Sequence, residues 1–105
     1  MNYTVIIAPE AEQDVFWIKT YIERILLAPQ AYENFEKAIF KTITRIENNP
    51  HVFPMFTVNG IAYRKAQIKK YLAIFRIDEN TRTVHIIAFG HSLQRRKNIL
   101  NHKKR

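Results

Sequence analysis

The sequence predicts an α+β fold: an N-terminal strand, an antiparallel helical hairpin packed on one face of a small, mainly antiparallel sheet (β-α-α-β-β-β), and a basic C-terminal tail. Three observations predict it. Apolar residues recur at helical spacing between residues 10 and 48, then switch to strand-like runs after residue 60. Pro29 and Pro50 punctuate the helical half. The links between the later apolar runs are too short for crossovers, so those strands pair antiparallel.

Residues 3–8 are β-branched and aromatic and read as a first strand. Pro9 suits the first turn of a helix, and Glu10, Glu12 and Asp14 sit where the helix dipole favours acids. Val15, Ile18, Ile22, Ile25 and Leu26 then mark the apolar stripe of a helix over residues 10–27, with Trp17 packing beside it. Pro29 opens a second helix over residues 30–48, whose apolar face is Tyr32, Phe35, Ala38 or Ile39, Ile43 and Ile46. Asn48-Asn49-Pro50 ends it. Residues 51–60 read as a loop, in which Phe53, Met55 and Phe56 either pack together or meet a partner. Strands follow over 61–68, 71–77 and 83–89, with Asp78-Glu79-Asn80-Thr81 as a polar turn. The chain reads as one domain over residues 1–105, with residues 92–105 as the tail and no repeat or linker.

Composition removes several functions. Two glycines leave no Gly-rich phosphate loop. The absence of cysteine excludes disulfides, thiolate catalysis and cysteine-based zinc sites, and suits a reducing cytoplasm. The N-terminus lacks the basic and long apolar segments of a secretory signal, and no run is long enough to span a membrane. A cytoplasmic protein with no membrane contact is expected.

Net charge is +8, and it is unevenly spread. Residues 1–50 hold seven acids and five bases; residues 51–105 hold twelve bases against Asp78 and Glu79, with all four histidines. A one-sided basic surface attracts polyanions, either nucleic acid or an acidic protein. Helices covering one sheet face leave the other free. The basic residues come mostly from the later strands and the tail, so function is expected on that free face.

Several segments together carry a family likeness. They are Ala8-Pro9-Glu10-Ala11-Glu12-Gln13-Asp14, Ile46-Glu47-Asn48-Asn49-Pro50, Tyr63-Arg64, Lys70-Tyr71-Leu72-Ala73-Ile74-Phe75-Arg76-Ile77-Asp78-Glu79, and Val84-His85-Ile86-Ile87 before Phe89-Gly90-His91. In this order and spacing the chain resembles the RelE/ParE superfamily of type II toxin–antitoxin toxins, over roughly residues 3–100. The resemblance implies a toxin neutralised by an acidic antitoxin. It also implies one of two activities: metal-independent mRNA cleavage at the ribosome in RelE-like members, or inhibition of DNA gyrase in ParE-like ones. No cofactor and no metal are implied.

Metal-free RNA cleavage needs a base, an acid and cations for the developing phosphate charge. The resemblance assigns these catalytic roles to Arg64, His91 and Arg76. Arg64 matches the phosphate-gripping arginine, or else is a solvated arginine on the sheet or one that pairs with the antitoxin. His91 closes the last strand where RelE-like nucleases carry a histidine or lysine, and imidazole is the chain's best acid–base group. Arg76 alternates with Phe75 and Ile77 and so faces away from them, as a site residue or a salt-bridge partner. Lys65, Lys69, Lys70, Arg95, Arg96 and Lys97 are the candidate nucleic-acid contacts, each otherwise a solvated charge. His85 reads as a cross-strand residue, Tyr71 as core, and His51 and His102 have no partner visible in the sequence.

The chain departs from both subtypes. Its last tyrosine is Tyr71, where many RelE-like nucleases carry one near the C-terminus. His91-Ser92-Leu93-Gln94 replaces the Arg-Arg/Gln-Asp turn of many ParE-like members. The leading expectation is the ribosome-dependent mRNA endoribonuclease. The alternatives are a ParE-like gyrase inhibitor and an inactive relative that only binds antitoxin.

Overall fold

The computed structural model describes residues 2–101. Strand β1 (Thr4–Ile7) leads into helix α1 (Pro9–Thr20), which runs on into a π-helical turn, Tyr21–Ile25. Helix α2 (Pro29–Asn48) and a 3₁₀ turn, Pro50–Val52, come next. The rest is β2 (Met55–Val58), β3 (Ile61–Ile68), β4 (Tyr71–Asp78), β5 (Thr83–His91) and a short helix α3 (Arg96–Asn101). The sheet order is β1-β5-β4-β3-β2. β1 runs parallel to β5, and the other pairs are antiparallel.

The expected α+β class is observed, with two additions. The segment expected as a loop contains β2, paired along the outer edge of β3. Its hairpin turn is Asn59-Gly60, with φ of 52° and 78°, the left-handed pair that a tight two-residue hairpin requires. The second addition is α3, formed from residues expected as tail. The end of that expected tail, residues 102–105 with His102, lies outside the described residues.

The sheet has two apolar faces. On one, Ala11, Ile22, Phe35 and Ile46 of the hairpin bury Ala66, Ile68, Ala73, Phe75, Val84, Ile86 and Phe89. On the other, Ile99 and Leu100 of α3 cover Leu72, Ile74 and Ala88. The expectation of a fully open second face is therefore corrected: α3 covers its centre. Because β5 outruns β1, the Phe89 amide finds no strand partner there and instead donates to Asp14 Oδ2 of α1 at 3.0 Å.

A bulge decides which way the end of β5 faces. Ile74 pairs with Ala88 but Phe75 pairs with Ile86, so Ile87 is an extra residue. Val84 and Ile86 face the hairpin, Ile87 and Ala88 pack on the α3 side, and Phe89 returns to the hairpin. Simple alternation from Val84 would have sent Phe89 and His91 the other way.

One polar knot ties the far end of the molecule. Tyr3 donates to Glu79 Oε1 at 2.9 Å, and His51 Nε2 meets Glu79 Oε2 at 2.5 Å. Arg82 lies over the Tyr3 ring at 4.4 Å. His51, without a visible partner in the sequence, thus joins the 3₁₀ turn to the β4–β5 hairpin. Its hydrogen bond, followed by that from Tyr3, holds the Glu79 carboxyl below the usual carboxylate range. A depressed carboxylate stabilises the fold above its unfolded pKa of about 4.3, and that contribution disappears as pH falls through the folded value. The wild type is therefore expected to exceed Glu79→Gln in urea midpoint at pH 7, with the two curves converging in acid below pH ~4. A gap independent of pH would exclude the pair as its source.

Candidate functional site

Helix α1 has apolar residues around much of its circumference, and the hairpin covers only some of them. Phe16, Trp17 and Tyr21 are 56%, 60% and 48% exposed. Trp17, expected beside the apolar stripe and packed on its neighbours, meets the Phe16 ring edge-on at 5.4 Å yet stays 60% exposed. Ile25 and Leu26 also leave the expected stripe, at 66% and 50% exposed. The π turn explains this. Leu26 N–H reaches back to the Tyr21 carbonyl, one residue further than in an α-helix, so the i+3 and i+4 positions no longer stack on Ile22.

These residues line two concave regions on the two flanks of α1. The first is a groove of about 560 Å³ between α1 and α2, walled by Val15, Phe16, Tyr32, Ile39, Phe40 and Ile43. Phe40 is 74% exposed on its rim, and an ion pair between Lys19 and Glu36, 2.9 Å, closes one side. The second is a cleft of about 660 Å³ at the end of the sheet. Its walls are Trp17, Tyr21 and Leu26 on the helical side, and Lys70, Tyr71 and His91 on the sheet side.

The three candidate catalytic residues do not converge. Arg64 shares the parity of Ala66 and Ile68 and so lies on the hairpin side of β3, a signal already present in the alternation. Its Nη1 donates to the carbonyls of Phe53 at 2.8 Å and His51 at 3.1 Å, pinning the 3₁₀ turn and the segment leading to β2. Arg76 faces the α3 side, exposed, with its guanidinium 5.8 Å from the Tyr63 ring and His85 directly across on β5. His91 is turned by the bulge to the hairpin side, where its ring meets that of Tyr71 at 5.5 Å. Its Nδ1 accepts from the Leu93 amide at 3.1 Å, leaving Nε2 for other partners. Desolvation pushes the Tyr71 hydroxyl above its usual pKa, so it stays protonated at neutral pH.

The candidate nucleic-acid contacts are also dispersed. Lys65 lies on the α3 side of β3. Lys69 and Lys70 form the β3–β4 turn, with Lys69 at φ 55°. Arg95 and Lys97 are exposed beside and on α3. Arg96 is half-buried over the Phe56 ring at 5.7 Å, and Phe56 stacks on Tyr63, so Arg96, Phe56, Tyr63 and Arg76 form a cation–aromatic ladder. Phe53 is buried, whereas Met55 is 58% exposed. Among the described residues no group of three or more His, Asp or Glu could hold a metal ion. No described helix is long and apolar enough to cross a membrane.

Arg64→Ala is expected to cost about 1.5–3 kcal/mol, because two carbonyls lose a charged donor. Arg64→Lys, which lacks the planar fork, should recover only part of this. Urea titration of the two variants measures it; unchanged stability in Arg64→Ala would free the residue for another role.

Comparison with known proteins places this arrangement. The sequence matches the family model of the ParE toxin of the type II toxin–antitoxin system parDE over residues 5–96. No curated protein matches it. The fold is similar to a chain of the RelBE2 toxin–antitoxin complex from Mycobacterium tuberculosis, with a TM-score of 0.63 and 20% identity over 87% of this chain and 99% of that one. It is also similar to a chain of the archaeal RelE–RelB complex from Pyrococcus horikoshii OT3, with a TM-score of 0.54 and 16% identity over 90% and 100% of the two chains. The helical hairpin on one sheet face, the ordered motifs along the chain and the family match over residues 5–96 lead to one conclusion: this chain belongs to the ParE toxin family of type II toxin–antitoxin systems.

Proposed function

We propose that this toxin arrests growth by binding a protein target, DNA gyrase, and not by cutting RNA, and that an acidic antitoxin silences it. The carrying observation is the divergence of Arg64, Arg76 and His91. Acid–base cleavage of a phosphodiester needs its groups within hydrogen-bond reach of one reacting centre, roughly 3 Å. Here one candidate is held by backbone carbonyls, and the other two lie on opposite faces of the sheet. The ParE family match and the lack of a tyrosine beyond Tyr71 support the same reading. Action in the cytoplasm as one domain over residues 1–105, without cofactor or membrane, belongs to the proposal.

The antitoxin has a surface suited to it. The α1–α2 groove is apolar, open and rimmed by Phe16 and Phe40. A disordered acidic segment that folds on binding would bury apolar side chains there and neutralise the basic half of the chain. The two solved structures named above are both toxin–antitoxin complexes.

The test is induced expression with bulk translation and DNA integrity followed separately, beside a supercoiling assay with purified gyrase. The expected result is DNA damage and inhibited supercoiling while translation continues. Fragmented mRNA with intact DNA would overturn it. One observation favours such an mRNA endonuclease: Arg76 and His85 face each other across β4 and β5, next to the Arg96–Phe56–Tyr63 ladder.

A further inference from the structure

The cleft on the second flank of α1 is unlike the antitoxin groove in three ways. First, its backbone is irregular. The π turn Tyr21–Ile25 forms one wall, Leu27 just after it is held at φ 50°, and Lys69 on the opposite turn is at φ 55°. Leu27 stands where a helix usually ends in glycine, and a left-handed leucine costs about 1–2 kcal/mol. Strain of this kind, like a π turn, gathers at functional sites.

Second, the irregularity exposes the residues that dominate protein interfaces. Trp17, Tyr21 and Leu26 wall the cleft, and they are 60%, 48% and 50% exposed. Of the π turn's side chains, Ile22 is buried in the core, whereas Tyr21 and Ile25 stand exposed. Tryptophan and tyrosine are the commonest anchors of binding energy when a partner desolvates them. A second hollow of about 230 Å³ adjoins the cleft and shares Leu26, Lys70 and Tyr71 with it.

Third, the polar rim is cationic. Lys70 lines the cleft, Lys69 beside it on the β3–β4 turn lines the adjoining hollow, and His91 closes the sheet end. Asp14, the acid at the base, accepts the Phe89 amide. The α1–α2 groove is lined instead by Glu12 and by Lys19 paired to Glu36.

We infer that this cleft is the surface by which the toxin grips its protein target, and that it takes an apolar side chain flanked by carboxylates on an acidic segment of that target. The inference rests on the protein-binding reading above and adds to it the site and the chemistry of the partner. Apolar area favours a protein over a nucleic acid here: two lysines would neutralise few phosphates. Because α1 separates the two concavities, antitoxin and target are met by different flanks of one helix. Phe89 lines both, so an antitoxin seated in the groove presses on a shared wall of the cleft.

The test uses the full-length toxin with Trp17→Ala, Lys70→Glu, Lys70→Arg and, as an exposed control on α2, Lys41→Ala. Far-UV circular dichroism and melting first establish that each is folded. Binding to purified gyrase and growth arrest on induction are then measured. Trp17→Ala and Lys70→Glu are expected to weaken gyrase binding at least 10-fold and to abolish arrest, while Lys70→Arg and Lys41→Ala retain both. Arrest and gyrase binding undiminished in Trp17→Ala and Lys70→Glu would overturn the inference. If the wild type does not bind gyrase, the gyrase reading fails by itself. The cleft is then judged on arrest alone, and its loss in these two variants still supports a different protein target. Binding of a labelled single-stranded oligonucleotide that Trp17→Ala abolishes would overturn the inference in favour of a nucleic-acid surface.

Discussion

Phe75→Ala is expected to lower the unfolding free energy by about 3–5 kcal/mol, the usual cost of removing a buried phenylalanine ring. Phe75 is 0% exposed in the centre of β4. It touches both long-range partners of that strand, pairing with Arg64 on β3 and Ile86 on β5. Its ring also meets Phe53 edge-on at 5.7 Å, and Phe53 is capped by the Arg45 guanidinium at 4.9 Å. The cavity would therefore open where hairpin, sheet and 3₁₀ turn meet, and the carbonyls that accept from Arg64 lie in that turn (His51) and just after it (Phe53). Small domains have only about 5–15 kcal/mol of stability, so this variant should lose a large fraction of it. Guanidinium unfolding checks it: the midpoint should fall sharply with the slope unchanged. A midpoint shift worth less than about 1 kcal/mol would mean that the site collapses around the missing ring.

Gly90→Val should undock α3. A Cβ at Gly90 would lie 2.5 Å from Ile99 Cγ1 and 2.7 Å from Ile99 Cδ1. Ile99 is 3% exposed and packs on Leu72, Ile74 and Ala88, so it cannot swing aside without uncovering them. Gln94 Oε1, 3.0 Å away, is also displaced, and with it the hydrogen bond it accepts from the His91 amide. Overpacking of this kind costs about 1–3 kcal/mol before any loss of the helix. Hydrogen exchange should report lost protection in α3 and along Leu72–Ile74, while α2 stays protected. Ile99→Ala in the same chain should restore part of the lost stability, a positive coupling that only a direct clash produces. Strictly additive effects of the two substitutions would exclude that clash.

The contrast between these two sites explains how much could be read beforehand. Phe75 sits in the run Tyr71-Leu72-Ala73-Ile74-Phe75, whose continuous apolarity already marks a central strand buried on both faces. Gly90 carried no such signal, because what it accommodates is Ile99, nine residues on and outside any strand pattern. The strand β2 was legible in principle, since Asn59-Gly60 between apolar residues is a hairpin signature. Arg64 was legible too, through its shared parity with Ala66 and Ile68. His91 was not. Its side depends on one extra residue at Ile87, and nothing in Ile86-Ile87-Ala88 announces a bulge.

Residue order by itself determined the strand–hairpin–sheet succession, the breaks at Pro29 and Pro50, the division into an acidic and a basic half, and the superfamily likeness. These depend on local periodicity, backbone restriction and charge, which act over a few residues. Only the tertiary structure decided which face each cation meets, that α3 covers the second sheet face, and that α1 leaves two flanks open. The reason is that sidedness in a sheet obeys an unbroken count of two, and a single bulge or a π turn resets the count for everything beyond it.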